Sequence, residues 1–220
     1  MAPTTVPTTT AAPATATPGV PLDFSTPQAS LRTYFAAVRA GDRAALAACF
    51  EDPPPGVADV TPVAYHNVLA RRLAVAVSEK FGPAAAEGIV PYNYYLSDRN
   101  IDEILARWPA PAKELVIDGD RAYYVNEQGR RLGRADDFNE FVRVQGEWKS
   151  AQRYPDPSDH AAVARYERWL APKRQLERDL SDSAADVEDG IVVRFEEIRD
   201  RHTAILQRLR KATEQAGQWP

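Results

Sequence analysis

Cysteine and histidine are scarce in this chain of 220 residues, and their scarcity excludes several kinds of site. Cys49 is the single cysteine, so the chain can form no internal disulfide. His66, His160 and His202 lack the short spacing of zinc-ligand pairs, and we therefore expect no metal site and no cofactor. Because Cys49 lies in an alanine-rich helical pattern with no histidine near it in sequence, we predict a buried apolar role for it and no catalytic thiol.

Long apolar runs and an excess of basic charge are also missing. No stretch approaches the roughly 20 apolar residues that a membrane-spanning helix needs. Acidic and basic residues are interleaved to a net charge of −4, without the strongly basic face that indicates a nucleic-acid-binding protein. Apolar residues make up 44% of the chain, which is enough for a core, so we expect one domain with appendages or two small domains.

The beginning of the chain consists almost entirely of Thr, Pro and Ala. Residues 1–22 carry no charge and no aromatic side chain. Such a segment cannot bury enough apolar surface to offset its chain entropy, so we predict that residues 1–24 form a disordered spacer. The segment has no cationic start and no apolar run, and is not itself a signal peptide. We expect it to follow an export or lipid-attachment signal in a periplasmic or envelope-attached protein; the alternative is a cytosolic tail.

Two helices are predicted at the start of the folded part. Thr26 offers a capping oxygen and Pro27 suits the first helical position. Gly41 ends this helix and Asp42 caps the next. The first helix has one apolar face, made of Leu31, Tyr34, Phe35 and Val38.

Two further helices are predicted before residue 110. Thr61 and Pro62 repeat the cap-and-proline start signal, and Gly82 ends that helix. Ser97 or Asp98 can cap a short helix afterwards. Its apolar side is made of Ile101, Ile104, Leu105 and Trp108.

The pattern then changes to short strands joined by tight turns. We predict strands over 114–118, 122–125, 138–144 and 148–153, with turns at Asp118-Gly119-Asp120 and Gln145-Gly146. Antiparallel hairpins after a run of helices indicate an α+β fold.

Residues 156–220 are predicted to be helical throughout. Ser158 or Asp159 caps the first helix, Pro172 allows a fresh start, and Ser183 with Asp186 resembles a capping box that begins the last helix. Apolar residues then recur in steps of four and three, which is typical of a heptad seam, although Gly190 weakens the stretch. The candidate oligomer seam comprises Ile191, Phe195, Ile198, Ile205 and Leu209, with His202 between them.

Three segments together carry a family resemblance over residues 25–155. They are TPQASLRTYFAAVRAGDRAALAACF (26–50), ELVIDGDRAYYV (114–125) and FVRVQGEWKSAQRY (141–154). In order and spacing they resemble the nuclear transport factor 2-like superfamily, which includes SnoaL-like polyketide cyclases and ketosteroid isomerase. The resemblance implies a curved antiparallel sheet wrapped on N-terminal helices as a cone with an apolar pocket. Residues 156–220 lie outside it and form a helical extension.

The same resemblance implies a partial set of catalytic residues. Tyr34 matches the first-helix tyrosine that donates a hydrogen bond to an enolate in ketosteroid isomerase-like members, and Asp59 is loosely placed for the base. The proline-rich stretch 51–62 departs from the strand usual there, and no protonated-acid partner follows. Each residue also has a structural reading: Tyr34 as a core aromatic and Asp59 as a surface group near a helix start. His66 is either a proton-transfer group or a structural histidine.

Aromatic residues supply the other candidate contacts. Tyr92, Tyr94 and Tyr95 form a local cluster that can line a pocket mouth or a partner surface. Tyr65 and Trp108 are further candidates for ligand or partner contacts. The alternative for all five is ordinary packing within the domain.

These observations favour a non-catalytic cone-fold domain that binds a partner protein or a small apolar ligand, with the helical extension as its distinguishing element. One alternative is an isomerase, cyclase or dehydratase acting in the cone pocket. A second is a scaffold that forms a homodimer through the C-terminal helix.

Overall fold

The computed structural model describes residues 19–89, 98–107, 114–132 and 140–217, and within them the chain forms seven helices and four strands. The elements are α1 (Pro27–Ala40), α2 (Arg43–Ala48), α3 (Thr61–Phe81), α4 (Pro83–Ile89), α5 (Asp98–Arg107), β1 (Glu114–Asp118), β2 (Arg121–Val125), β3 (Glu140–Val144), β4 (Glu147–Ser150), α6 (His160–Glu188) and α7 (Phe195–Ala216). The predicted α+β class is confirmed. None of the described helices is both long and apolar enough to cross a membrane.

The first two helices have the predicted caps. The Thr26 side chain accepts a hydrogen bond from the Ala29 amide, and Gly41 ends α1 in the left-handed conformation at φ 70°. The Asp42 carboxylate accepts the Ala45 amide at 2.9 Å and caps α2. These local signals therefore specify both ends of α1 and the start of α2.

The segment just before α1 corrects the predicted extent of the disordered tail. The Val20 amide donates to Asp42 Oδ2 at 3.3 Å, and the Trp148 amide donates to the Phe24 carbonyl at 2.8 Å. Phe24 is buried in the core. The prediction of disorder is wrong for residues 19–24, because Phe24 buries a large apolar ring; residues 1–18 lie outside the described residues.

The four strands form one antiparallel sheet in the order β1-β2-β3-β4. Gln145 and Gly146, at φ 52° and 88°, make the tight turn between β3 and β4. The last strand ends at Ser150, three residues before the predicted end. There Phe50 forms a parallel bridge with Ser150 and extends the sheet past β4.

The sheet and the first helices enclose the first hydrophobic cluster. Ser30 Oγ donates to the Trp148 carbonyl and joins α1 to β4. Ile101 brings α5 into the same cluster. Its large aromatic members are Phe24, Tyr34, Phe35, Phe50, Tyr124, Phe141 and Trp148.

The start of α3 differs from the prediction. The capping position is Val60, which has no side-chain cap, and Thr61 lies inside the helix. Asp59 Oδ1 accepts the Thr61 amide at 2.5 Å, so the carboxylate two residues earlier takes the place of the predicted threonine cap. After Gly82, residues 83–89 form α4, a helix that was not predicted.

The C-terminal extension is a hairpin of two helices. The chain turns between them at one place, which differs from the two helix starts predicted at Pro172 and Ser183. α6 runs unbroken through Pro172, and Ser183 is buried inside it, so neither residue starts a new helix. The packing of Leu170 and Leu176 on either side of Pro172 holds the helix together across the missing backbone hydrogen bond. The chain turns instead at Gly190, whose φ of 77° suits the end of a helix.

The hairpin packs against α3 and forms a second hydrophobic cluster. α6 and α7 run antiparallel, with ion pairs Arg208–Asp179 (3.1 Å) and Arg201–Asp186 (2.5 Å) between them. The apolar cluster is composed of residues from α3, α4, α6 and α7, among them Leu69, Leu73, Val77, Ile89, Leu176, Leu180, Val187, Ile198 and Ile205.

The predicted seam lies largely within this cluster. Ile198 and Ile205 are buried, and Phe195 and Leu209 pack partly buried beside them. Ile191 lies before α7 in the hairpin turn and is 65% exposed, so it is not part of the helical seam. Most of the seam is therefore already covered by the same chain.

This arrangement predicts that two substitutions in the seam lower the free energy of unfolding by unequal amounts. Ile198→Ala should lower the free energy of unfolding by about 2–5 kcal/mol through a buried cavity. Ile191→Ala, on an exposed side chain, should change it by less than about 0.5 kcal/mol. Urea denaturation at two protein concentrations measures both, and the midpoint should not depend on concentration. Equal costs, or a midpoint that rises with protein concentration, would show that the seam pairs between chains.

Candidate functional site

Tyr34 lies on α1 inside the first hydrophobic cluster. Its ring makes edge-on contacts with Phe35 and Phe50, with centroids 5.2 and 6.2 Å apart. Its hydroxyl oxygen accepts a hydrogen bond from Asn67 Nδ2 at 3.3 Å. Burial raises the pKa of Tyr34 to about 12, so the phenol stays protonated at neutral pH. Two aromatic rings and the Asn67 amide are thus among its neighbours.

Asp59 lies beside a different group of aromatic residues. Its carboxylate accepts the Thr61 amide, and its charge contributes to raising the pKa of Tyr154 and of Tyr166, which burial raises most. Tyr166 belongs to a small third cluster with Val57 and Leu170. The two residues suggested by the isomerase resemblance are thus engaged with different partners in different clusters.

His66 is buried on the side of α3 that faces α6. Burial, together with the positive charge of Lys173 on α6, lowers the pKa of His66 to about 4. The imidazole is therefore neutral at physiological pH. Asn67, the next residue of α3, donates a hydrogen bond to Tyr34 of α1. Tyr34 therefore contacts a different side of α3 from the one that carries His66.

The predicted aromatic contacts are only partly within the described residues. Tyr92, Tyr94, Tyr95 and Trp108 lie outside them. Tyr65 is half-buried on α3, with the Arg43 guanidinium 5.2 Å from its ring centroid.

Tyr65 also lines a cleft of about 400 Å³ between the end of α1 and α3. Three arginines line the same cleft, and each is held by another group. Arg39 pairs with Asp102 at 2.6 Å, Arg71 donates to the Arg39 carbonyl, and Arg72 pairs with Glu188. The cleft is thus a mixed-charge surface whose three arginines each bind another group of the protein.

A second cavity, of about 240 Å³, lies between α6 and α7. Its walls are mostly apolar: Pro172, Leu176, Ile205, Leu209 and Ala212. Asp179 and Arg208, paired at 3.1 Å, stand with Gln175 at its polar side. Sequence reasoning missed this cavity, although a proline inside an amphipathic helix opposite a small residue was a signal for it.

The described residues contain no group of three or more His, Cys, Asp or Glu side chains placed to hold a metal ion. Cys49 is buried, and burial raises the pKa of its thiol to about 12. It behaves as a small apolar side chain of the core.

Comparison of the chain with protein-family models, with curated proteins and with solved structures finds no match. The resemblance to the nuclear transport factor 2-like superfamily therefore stays a prediction.

Because Tyr34 is packed in the core, we expect its substitution to affect the stability of the protein. Tyr34→Phe removes the hydrogen bond with Asn67 and should lower the free energy of unfolding by about 1 kcal/mol. Asn67→Ala should lower the free energy of unfolding by a similar amount. The double variant should lower it by less than the sum of the two single changes, because both substitutions remove the same hydrogen bond. Denaturant unfolding of the three variants measures this. Strictly additive costs would contradict a coupled pair.

His202 predicts a loss of stability in acid. Its ring is buried, neither ring nitrogen has a hydrogen-bond partner among the described residues, and burial lowers its pKa to about 4. In the unfolded chain the pKa is close to 6.5, so the unfolded state binds the proton first. The contribution of neutral His202 is therefore full above about pH 6.5 and falls as the pH drops toward 4.

The variant His202→Leu should remove this contribution. Its stability relative to the wild type should rise by about 2–3 kcal/mol between pH 7 and pH 4. His160→Leu, at an exposed position at the start of α6, is the matched control and should track the wild type. Thermal unfolding across this pH range gives the comparison. Parallel pH profiles for His202→Leu and the wild type would refute the interpretation.

Proposed function

We propose that this protein is a non-catalytic binding domain whose ligand is a small apolar molecule held between α6 and α7. The observation that carries the proposal is the cavity of about 240 Å³ with apolar walls in the C-terminal hairpin. Binding sites for small molecules are typically concave and apolar with a few polar groups at one side.

The dimensions of the cavity indicate the class of ligand. An apolar cavity of about 150 Å³ in another protein stays dry and binds benzene. The larger space here suits a molecule of one or two rings or a short branched chain. The Asp179–Arg208 pair and Gln175 provide the polar groups that would orient one polar end of such a molecule.

The cavity has a structural origin in the packing of the hairpin. Pro172 has no N–H to donate a backbone hydrogen bond within α6, and its ring lines the cavity. Opposite it, α7 presents Ala212, whose methyl group fills little space. A larger side chain at position 212 would close the gap, so its small size is what keeps the cavity open.

The non-catalytic part of the proposal is supported by the surroundings of the candidate catalytic groups. A general acid–base pair must converge on one reacting space. Tyr34 contacts aromatic rings and Asn67, whereas Asp59 caps α3 and faces Tyr154 and Tyr166. These contacts favour binding over an isomerase-type reaction.

We further propose that residues 25–155 belong to the nuclear transport factor 2-like superfamily and have its cone shape. The support is the order of elements: the helices α1 and α2, the longer α3, the short α4 and α5, and an antiparallel sheet, with α1 packed on the last strand. In that case the ligand site lies in the extension and not in the cone.

The burial of Ile198 and Ile205 in the same chain disfavours the scaffold dimer.

Benzene as a probe tests the ligand site. Titration followed by methyl NMR of Leu176, Ile205 and Leu209 should give saturable shifts in the wild type. Ala212→Leu should abolish them by filling the cavity, while Ala204→Leu, at an exposed position of the same helix, should leave them unchanged. The absence of saturable shifts in the wild type, or equal binding by Ala212→Leu, would overturn the proposed function.

A further inference from the structure

We propose that the ligand held between α6 and α7 ends in a carboxylate, which Arg208 binds at the polar side of the cavity. The ligand class is then a small aromatic or branched carboxylic acid. This inference rests on the proposed function, because it names the polar end of the molecule that the apolar walls would hold. A protein that binds benzene but does not prefer a carboxylate would contradict this inference alone.

Four side chains form a connected series of hydrogen bonds at this side of the cavity. Arg178 Nη2 donates to Gln175 Oε1 at 2.5 Å, and Gln175 Nε2 donates to Asp179 Oδ1 at 2.9 Å. From α7, Arg208 Nη2 donates to Asp179 Oδ2 at 3.1 Å. The series therefore joins α6 to α7, and it holds in place three of the side chains that line the cavity: Gln175, Asp179 and Arg208.

The acceptors in this series already have donors. Each oxygen of the Asp179 carboxylate accepts one hydrogen bond, and the Gln175 amide oxygen accepts one from Arg178. The Asp179 side chain is also only 18% exposed. A ligand that ends in a hydrogen-bond donor, such as an ammonium group, would have to share these acceptors with bonds that are already made.

Donors, in contrast, are in surplus. A guanidinium group carries five N–H bonds, and the bond to Asp179 uses one of those of Arg208. Arg208 makes no other hydrogen bond with the described residues. Because its side chain is 64% exposed, the remaining N–H groups can take a second acceptor without displacing Asp179.

The charges also favour an anion over a cation. Among the described residues that line the cavity, Asp179 is the one acid and Arg208 the one base. Arg178 adds a second positive charge through its bond to Gln175. A cationic ligand would meet two guanidinium groups, whereas an anionic ligand would meet one carboxylate that is already paired with Arg208.

A carboxylate fits a guanidinium in shape as well as in charge, since its two oxygens match two parallel N–H bonds. Burying an ionised carboxylate completely would be unfavourable. The exposure of Arg208 leaves the charged end of the ligand in contact with water while the hydrocarbon part lies among the apolar walls. A ring joined directly to a carboxylate, as in benzoate, has this division into two ends.

Three probes of similar shape test the proposal on the whole protein: benzoate, the neutral benzamide and the cationic benzylamine. Each is titrated at pH 7 and low salt, followed by the methyl NMR signals of Leu176, Ile205 and Leu209. Benzoate should bind about fivefold more tightly than benzamide, and benzylamine should bind most weakly. If benzene binds but benzamide or benzylamine binds as tightly as benzoate, the carboxylate assignment is wrong and the apolar site remains. If none of the four molecules binds, the proposed function fails and this inference fails with it.

Two charge variants test whether Arg208 is the group that selects the carboxylate. In Arg208→Gln the ratio of benzoate affinity to benzamide affinity should fall to about one, because the partner of the carboxylate is gone. Arg210→Gln removes the same charge from an 83% exposed position of the same helix and should keep the wild-type ratio. An unchanged ratio in Arg208→Gln, or an equal fall in both variants, would overturn the assignment. Circular dichroism checks that both variants are folded, and the comparison of the probes in the wild type stands without them.

Discussion

The burial of α3 on two sides is the constraint on which the rest of the structure depends. Ala64 and Val68 face the first cluster, beneath the sheet and α1, while Leu69, Leu73 and Val77 face the second. A helix that is apolar on more than one face must be covered on each of them. The sheet domain covers one side and the α6–α7 hairpin covers the other, so the extension completes the environment of α3.

This constraint also explains where the candidate sites lie. The first cluster is filled by aromatic rings, and Tyr34 is one of them. The second is built from aliphatic and small side chains across two long helices, where Pro172 and Ala212 leave space. On another side of α6, Lys173 lies over the Trp169 ring of the same helix, and its charge reaches His66 of α3. The proposed ligand site therefore lies in the extension, the part of the chain that the family resemblance leaves out.

Caps and turn residues were sufficient to predict the structure wherever it depends on residues close together in the sequence. Thr26, Gly41, Asp42 and Asp159 act at the helix ends where they were expected. The turns at Gly119 and Gly146 join strands in the predicted order. Local signals failed where distant contacts opposed them: α6 continues through Pro172 because apolar side chains on both sides of the proline are buried.

By itself the sequence determined the α+β class, most helix and strand positions and the absence of an internal disulfide, because caps, turns and periodicity act over a few residues. Only the tertiary structure decided that residues 19–24 join the core and that the heptad seam covers its own chain. It also decided that Arg43 on α2 pairs with Glu177 on α6. These features depend on groups up to 134 residues apart, whose proximity no local pattern encodes.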